Sequence, residues 1–243
     1  FDETIVVPFP PESPDSGIGD DGFHPVVWYR REFPCRPAAG RHVVLHFGAV
    51  DYRAAAWVNG QLVAEHEGGH TPFSADITHV LRPDGPQVVV VRAEDLAHDL
   101  GQPRGKQDWQ AEPHAIWYRR TTGIWQRVWW EEVHPRRLES LHWTADPVAG
   151  TVAMAARLGP PSLHPTGEPL WLRVRASLHD ELLVDDTYQV RDDEVRRELV
   201  LSQGRLSLGG DAVLWTPEHP NLVEVVLDLQ TADGTVLDHV DSY

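Results

Sequence analysis

Apolar residues at every second position dominate this chain and leave little room for helices. Val43, Leu45 and Phe47 alternate with Val44 and His46. Val152, Met154, Ala156 and Leu158 alternate with smaller or polar neighbours. Leu170, Leu172, Val174 and Ala176 alternate with Trp171, Arg173 and Arg175, and Val223, Val225, Leu227 and Leu229 with Glu224, Val226 and Asp228. A period of two gathers such residues on one face of a strand, whereas a helix needs a period near 3.6. Each run is therefore expected to be a strand with one buried face. Residues 88–91 are all valine, which predicts a strand buried on both faces.

Turn signals punctuate these runs: Asn59-Gly60, Pro83-Asp84-Gly85, Gly209-Gly210-Asp211 and Asp233-Gly234. Asn-Gly and Asp-Gly are the pairs that tolerate positive φ in tight hairpins. Strands and turns at this spacing predict an all-β chain made of two β-sandwiches. The boundary is placed at residues 134–137, where a Trp-rich strand ends and a new alternating series begins. That gives one sandwich over 1–134 and a second over 135–243.

The chain has 243 residues, 41% of them hydrophobic, which is ample for two packed cores. Its formal net charge of −16 repels nucleic acid and anionic membranes, so neither is expected as a partner. No apolar run approaches the length of a membrane span. Cys35 is the sole cysteine, so neither an internal disulfide nor a Cys-based zinc site is available. A reducing, cytoplasmic setting fits this usage; the chain begins at Phe1 without Met, so secretion stays open.

Residues 66–70, HEGGH, match the zinc-protease pattern H-E-x-x-H. That pattern works only on a helix, where residues four apart stand one turn above each other and share a metal. Here two glycines fill the middle, each costing about 1 kcal/mol in a helix interior. If the segment is extended, the two histidines lie about 13 Å apart at roughly 3.3 Å per residue. The expectation is a glycine turn near a strand end, with locally bonded histidines and no metal.

Read more widely, WVNG (57–60), HEGGHTPF (66–73) and Asp76-Ile77-Thr78 resemble the sugar-binding domain of family 2 glycoside hydrolases, the β-galactosidase, β-glucuronidase and β-mannosidase family. IVVPFPPES (5–13) and VWYRREF (27–33) precede them in the family's order, and RTTGIWQRVWWE (120–131) follows. LWTPEHPNLVEVVLDL (214–229) resembles the family's second domain. The resemblance implies a galactose-binding-like jelly-roll sandwich followed by an immunoglobulin-like sandwich. Physical roles stand beside it: Gly68-Gly69 for a sharp turn, Asp76 or Ser74 as a cap, and Gly123 for close backbone approach.

Retaining glycosidases use two carboxyl groups about 5–5.5 Å apart. In this family both belong to a (β/α)8 barrel, and the acid/base glutamate follows an asparagine. Both asparagines here precede other residues, Gly60 and Leu222, and the βαβ alternation of a barrel is absent. No catalytic residue, metal or cofactor is assigned. The resemblance implies the non-catalytic amino-terminal part of an enzyme that hydrolyses terminal β-glycosides. Its catalytic barrel would lie beyond Tyr243, and a homo-oligomer is compatible with it. The alternative is a free-standing carbohydrate-binding module.

Sugars are held by aromatic faces over C–H surfaces and polar groups on hydroxyls. The densest concentration of such groups gives the substrate-binding candidates: Gln107, Asp108, Trp109, Trp117, Tyr118 and Arg120. They lie on a long connection before Gly123. In related β-galactosidases a loop here carries an Asp into the barrel's site; at that register this chain has Trp117, which leaves Asp108 as a substitute from elsewhere.

Overall fold

The computed structural model describes residues 3–159, 169–201 and 213–243. The Gly209-Gly210-Asp211 turn signal lies outside them. The chain divides into two compact units, Phe1–Glu132 and Val133–Tyr243. Both are all-β, and no β/α barrel is present among the described residues.

In the first unit, Val26–Phe33 (β1), His42–Phe47 (β2), Val50–Asp51 (β3), Arg53–Val58 (β4) and Gln61–Glu67 (β5) come first. Phe73–Asp76 (β6), Gln87–Glu94 (β7), Gly123–Ile124 (β8) and Val128–Val133 (β9) follow. Strands β1-β7-β4-β5 form one sheet and β6-β2-β9 a second, with the short β3-β8 ribbon beside them. Between the sheets lies a jelly-roll core that includes Tyr29, Phe33, Val43, Leu45, Phe47, Ala56, Val58, Val89, Val91 and Ile124. Phe47 is fully buried and stacks on Phe73 at 4.6 Å. Burying one such side chain contributes about 1.5–3 kcal/mol.

Two details depart from the alternation. Val44 is buried as well as Val43 and Leu45, because β2 is the central strand of its sheet. The valine run is not buried on both faces: Val89 and Val91 point inward, while Val88 and Val90 are half-covered. Outer side chains of the neighbouring strands screen that face, Trp28 stacking with Trp57 at 5.7 Å.

Asn59-Gly60 closes the β4–β5 hairpin with φ of 52° and 86°. The Asn59 side chain also works at long range. Its amide donates to Val80 O and to Gln87 Oε1, and its carbonyl accepts from Val88 N. Gln87, with no exposed surface, is satisfied in turn by Arg82 and by the carbonyl of Cys35. Asp76, not Ser74, organises the turn that follows β6: its Oδ1 accepts from Thr78 N at 2.9 Å, and its Oδ2 meets the His42 ring at 2.6 Å.

The HEGGH segment is not helical: β5 ends at Glu67, and Gly69-His70 form a turn just beyond it. His66 lies on β5, stacks on Phe73 and meets Thr71 Oγ1 at 2.9 Å; His70 sits edge-on to Trp125. The glycine requirement is steric. A β-carbon on Gly69 would lie 2.2 Å from Asp51 Oδ1, and the Gly69 carbonyl accepts from Trp125 Nε1 at 2.7 Å. At Gly123, φ is +77° and a β-carbon would lie 2.1 Å from the Tyr29 hydroxyl.

In the second unit, Leu138–Asp146 (β10), Thr151–Leu158 (β11), Leu170–Leu178 (β12), Glu181–Val190 (β13), Glu194–Val200 (β14), Glu224–Thr231 (β15) and Val236–Ser242 (β16) form sheets of order β10-β11-β14 and β13-β12-β15-β16. Among the described residues, three strands face four, an immunoglobulin-like arrangement. Inward residues follow the sequence pattern: Met154, Ala156, Leu158, Leu170, Leu172, Val174, Ala176, Val225, Leu227 and Leu229 are all buried. Asp228 is buried too, against its place on the outer face. Arg175 at 3.1 Å and His239 at 2.7 Å cover its carboxylate.

Phe47→Ala is expected to lower unfolding free energy by about 3–5 kcal/mol, and Val90→Ala, on the half-covered face, by far less. Urea unfolding of each variant checks the difference.

Candidate functional site

All six candidate residues sit on the connection between β7 and β8, residues 95–122. A connection this long without strands or helices needs internal anchors, and its polar residues supply them. Asp95, at the start, is 2% exposed and accepts from the Gln102 amide, from Thr122 Oγ1 at 3.3 Å and from the guanidinium of buried Arg120. One carboxylate thus ties the beginning, the first bend and the end of the loop. Thr122 N donates to Glu12 Oε2 at 3.1 Å, which fastens the amino-terminal segment to the same place.

The stem is pinched further along. Asp108 N donates to Tyr118 O at 2.8 Å and Tyr118 N to Lys106 O at 2.9 Å. Gln107 spans the stem: its Nε2 donates to Asp51 Oδ2 at 2.7 Å and its Oε1 accepts from Thr121 N at 2.9 Å.

The Asp108 carboxylate has no exposed surface to offer a ligand. Its oxygens accept from Gln110 N at 3.0 Å and His114 N at 2.8 Å, and its Oδ2 meets the His114 ring at 2.6 Å. Burial pushes its carboxyl up, but these hydrogen bonds outweigh burial and hold it below its ordinary value of 3.8. Asp108 therefore shapes the loop tip. Its hold is kept above pH 3.8 and lost as pH falls through the lower folded value.

The aromatic candidates are differently placed. Trp109 is half-buried, with the Arg104 guanidinium 4.6 Å over its ring and His114 and Trp117 edge-on at 5.2 and 5.5 Å. Trp117 is half-exposed and Tyr118 is 67% exposed, next to Ile116. The six residues thus separate into buried Asp108 and Arg120 with the spanning Gln107, which hold the loop, the mutually packed, partly covered Trp109 and Trp117, and exposed Tyr118.

Sequence reasoning missed Asp51, Asp95, Gln102 and Glu12. The available signal was a single carboxylate inside an apolar run, as in FGAVDYRAAAW (47–57).

Comparison with known proteins places this geometry. Residues 24–133 match the sequence profile described as glycosyl hydrolase 2 galactose-binding domain-like, a stretch that includes the whole 95–122 loop. This part of the chain is a family 2 glycosyl hydrolase galactose-binding-like domain. The chain is 25% identical over 225 residues to a β-galactosidase of Thermoanaerobacter pseudethanolicus, covering 90% of this chain but 28% of that protein. Over 87 residues it is 44% identical to the β-glucuronidase of Canis lupus familiaris, covering 32% of this chain and 13% of that one. The fold matches a crystal structure of a putative β-galactosidase from Bacteroides fragilis with a TM-score of 0.70, at 19% identity, over 90% of this chain and 32% of that one. The chain thus spans less than a third of the length of these relatives. Within the galactose-binding-like domain, the HEGGH and TGIW segments meet at one point, Gly69 against Trp125 and Asp51.

Arg120→Ala would leave Asp95 charged and buried without its cation, an expected loss of about 3–5 kcal/mol by urea unfolding. Asp108→Ala is expected to spare the global transition and free the loop tip. Chymotrypsin should then cut at Trp109, Trp117 or Tyr118 much faster than in the parent protein.

Proposed function

We propose that this chain is the non-catalytic amino-terminal part of a retaining β-glycosidase that hydrolyses terminal β-galactosides or β-glucuronides. A catalytic (β/α)8 barrel beyond Tyr243 supplies both carboxylates. The observation that carries this reading is one of coverage: the match to a β-galactosidase spans 90% of this chain and 28% of that protein. The galactose-binding-like profile over residues 24–133 supports it.

In this reading the 95–122 loop borders the sugar pocket. Trp117 and Tyr118 offer aromatic faces to the C–H side of a sugar ring, which is how apolar sugar surface is recognised. Gln107, Asp108 and Arg120 hold those rings in place. A reducing, cytoplasmic setting accompanies the proposal, since Cys35 is the sole cysteine and a free thiol.

The test uses the complete protein with terminal β-galactosides and β-glucuronides. Hydrolysis is expected with retention of configuration, and Trp117→Ala and Tyr118→Ala should raise KM several-fold while thermal unfolding is unchanged. Unaltered KM in both variants removes the loop from the pocket. A complete protein that binds these sugars without cleaving them is a carbohydrate-binding module instead.

A further inference from the structure

Asp51 is 2% exposed, yet only one of its carboxylate oxygens has a hydrogen-bond donor. Oδ2 accepts from Gln107 Nε2 at 2.7 Å. Oδ1 is buried without a partner and packs against the Cα of Gly69. A fully ionised carboxylate in such a place lacks the two or three donors that normally offset its lost hydration.

The charges around it act in both directions. From the end of β7 the Asp95 carboxylate faces it and opposes its ionisation. Arg120 from the loop and His70 from the β5–β6 turn favour ionisation, but Arg120 is already engaged by Asp95, and His70 is exposed to solvent. The Gln107 link, meanwhile, joins β3 to the stem of the loop and continues through Gln107 Oε1 to Thr121 N.

We propose that Asp51 is a positioning residue that holds a proton inside the folded protein and, through Gln107, sets how firmly the 95–122 loop is fastened to β3. Protonated, it keeps the interior neutral and the loop closed. When the loop opens, Asp51 reaches water and gives up the proton. Burial, the main cause, pushes its folded value up from 3.8 to about 6. The sign follows: the closed loop is favoured fully below pH 3.8, and the advantage is lost as pH rises to about 6. The inference concerns the loop alone and stands whether or not the protein acts on sugars.

Hydrogen exchange on the complete protein, from pH 4 to 7 and divided by the intrinsic rate, tests it. The amides that close the stem, those of Asp108, Tyr118 and Thr121, report the opening equilibrium. Their opening is expected to rise about tenfold per pH unit up to pH 6, roughly 100-fold in all, and then level off. In Asp51→Asn that rise should vanish. Constant opening in the parent protein, or an unchanged rise in Asp51→Asn, overturns the proposal. If Asp51→Asn does not fold, Gln107→Leu decides. It removes a donor that favours the charged form, so the levelling point must move to higher pH; a purely structural role would raise opening equally at every pH.

Discussion

The buried contact between the Asp95 carboxylate and the Arg120 guanidinium governs the geometry of the long 95–122 loop of the first unit. Twenty-four residues lie between the two along the chain, and nothing regular lies among them except a short pairing of Gln107 with Tyr118. Fixing so long a segment costs conformational entropy at every residue. The offset comes from polar side chains turned inward: Gln102 and Thr122 complete the coordination of Asp95, and Gln107 and Asp108 organise the stem and the tip. Polar networks of this kind hold one geometry firmly when their members are paired, because any alternative leaves a buried charge exposed to low dielectric without compensation.

Glycines recur in the motifs for a steric reason. Gly69 and Gly123 each occupy a place where a side chain would meet another residue's polar oxygen, Asp51 in one case and Tyr29 in the other. Tyr29 accepts from Ile124 N at 3.2 Å, and burial, the main cause, pushes its hydroxyl pKa up to about 12, so it stays neutral at any working pH. The glycines therefore allow strands and turns to close on a polar interior. Their role is close approach, and the histidines beside Gly69 engage Thr71 and Trp125.

The division of labour on the loop has a physical logic. Trp117 and Tyr118 leave aromatic surface toward solvent in a chain of net charge −16. Asp108, whose bonds join backbone amides and the His114 ring, orders the loop tip that carries them.

Much of the fold was legible in the sequence. Alternation in residues 152–158, 170–176 and 225–229 located the inward faces of the second unit because side-chain direction along a strand is a local property. The Asn59-Gly60 hairpin was legible for the same reason. Composition also singled out the loop that carries the polar and aromatic candidates. Which of them turn inward was not legible: Asp108 and Tyr118 look equally available in sequence, yet one is sealed and the other exposed. Nor was the burial of Asp228, or the half-covered face of Val88 and Val90. These depend on what the neighbouring strands and loops place overhead, through partners as far apart as Glu12 and Thr122 or Asp51 and Gln107. Sequence alone set the strands, their inward faces and the tight turns, which follow from short-range sterics and periodicity. Only tertiary structure decided the state of the buried carboxylates and the direction of the loop's rings, because hydration and hydrogen bonding there are set by residues brought together from across the chain.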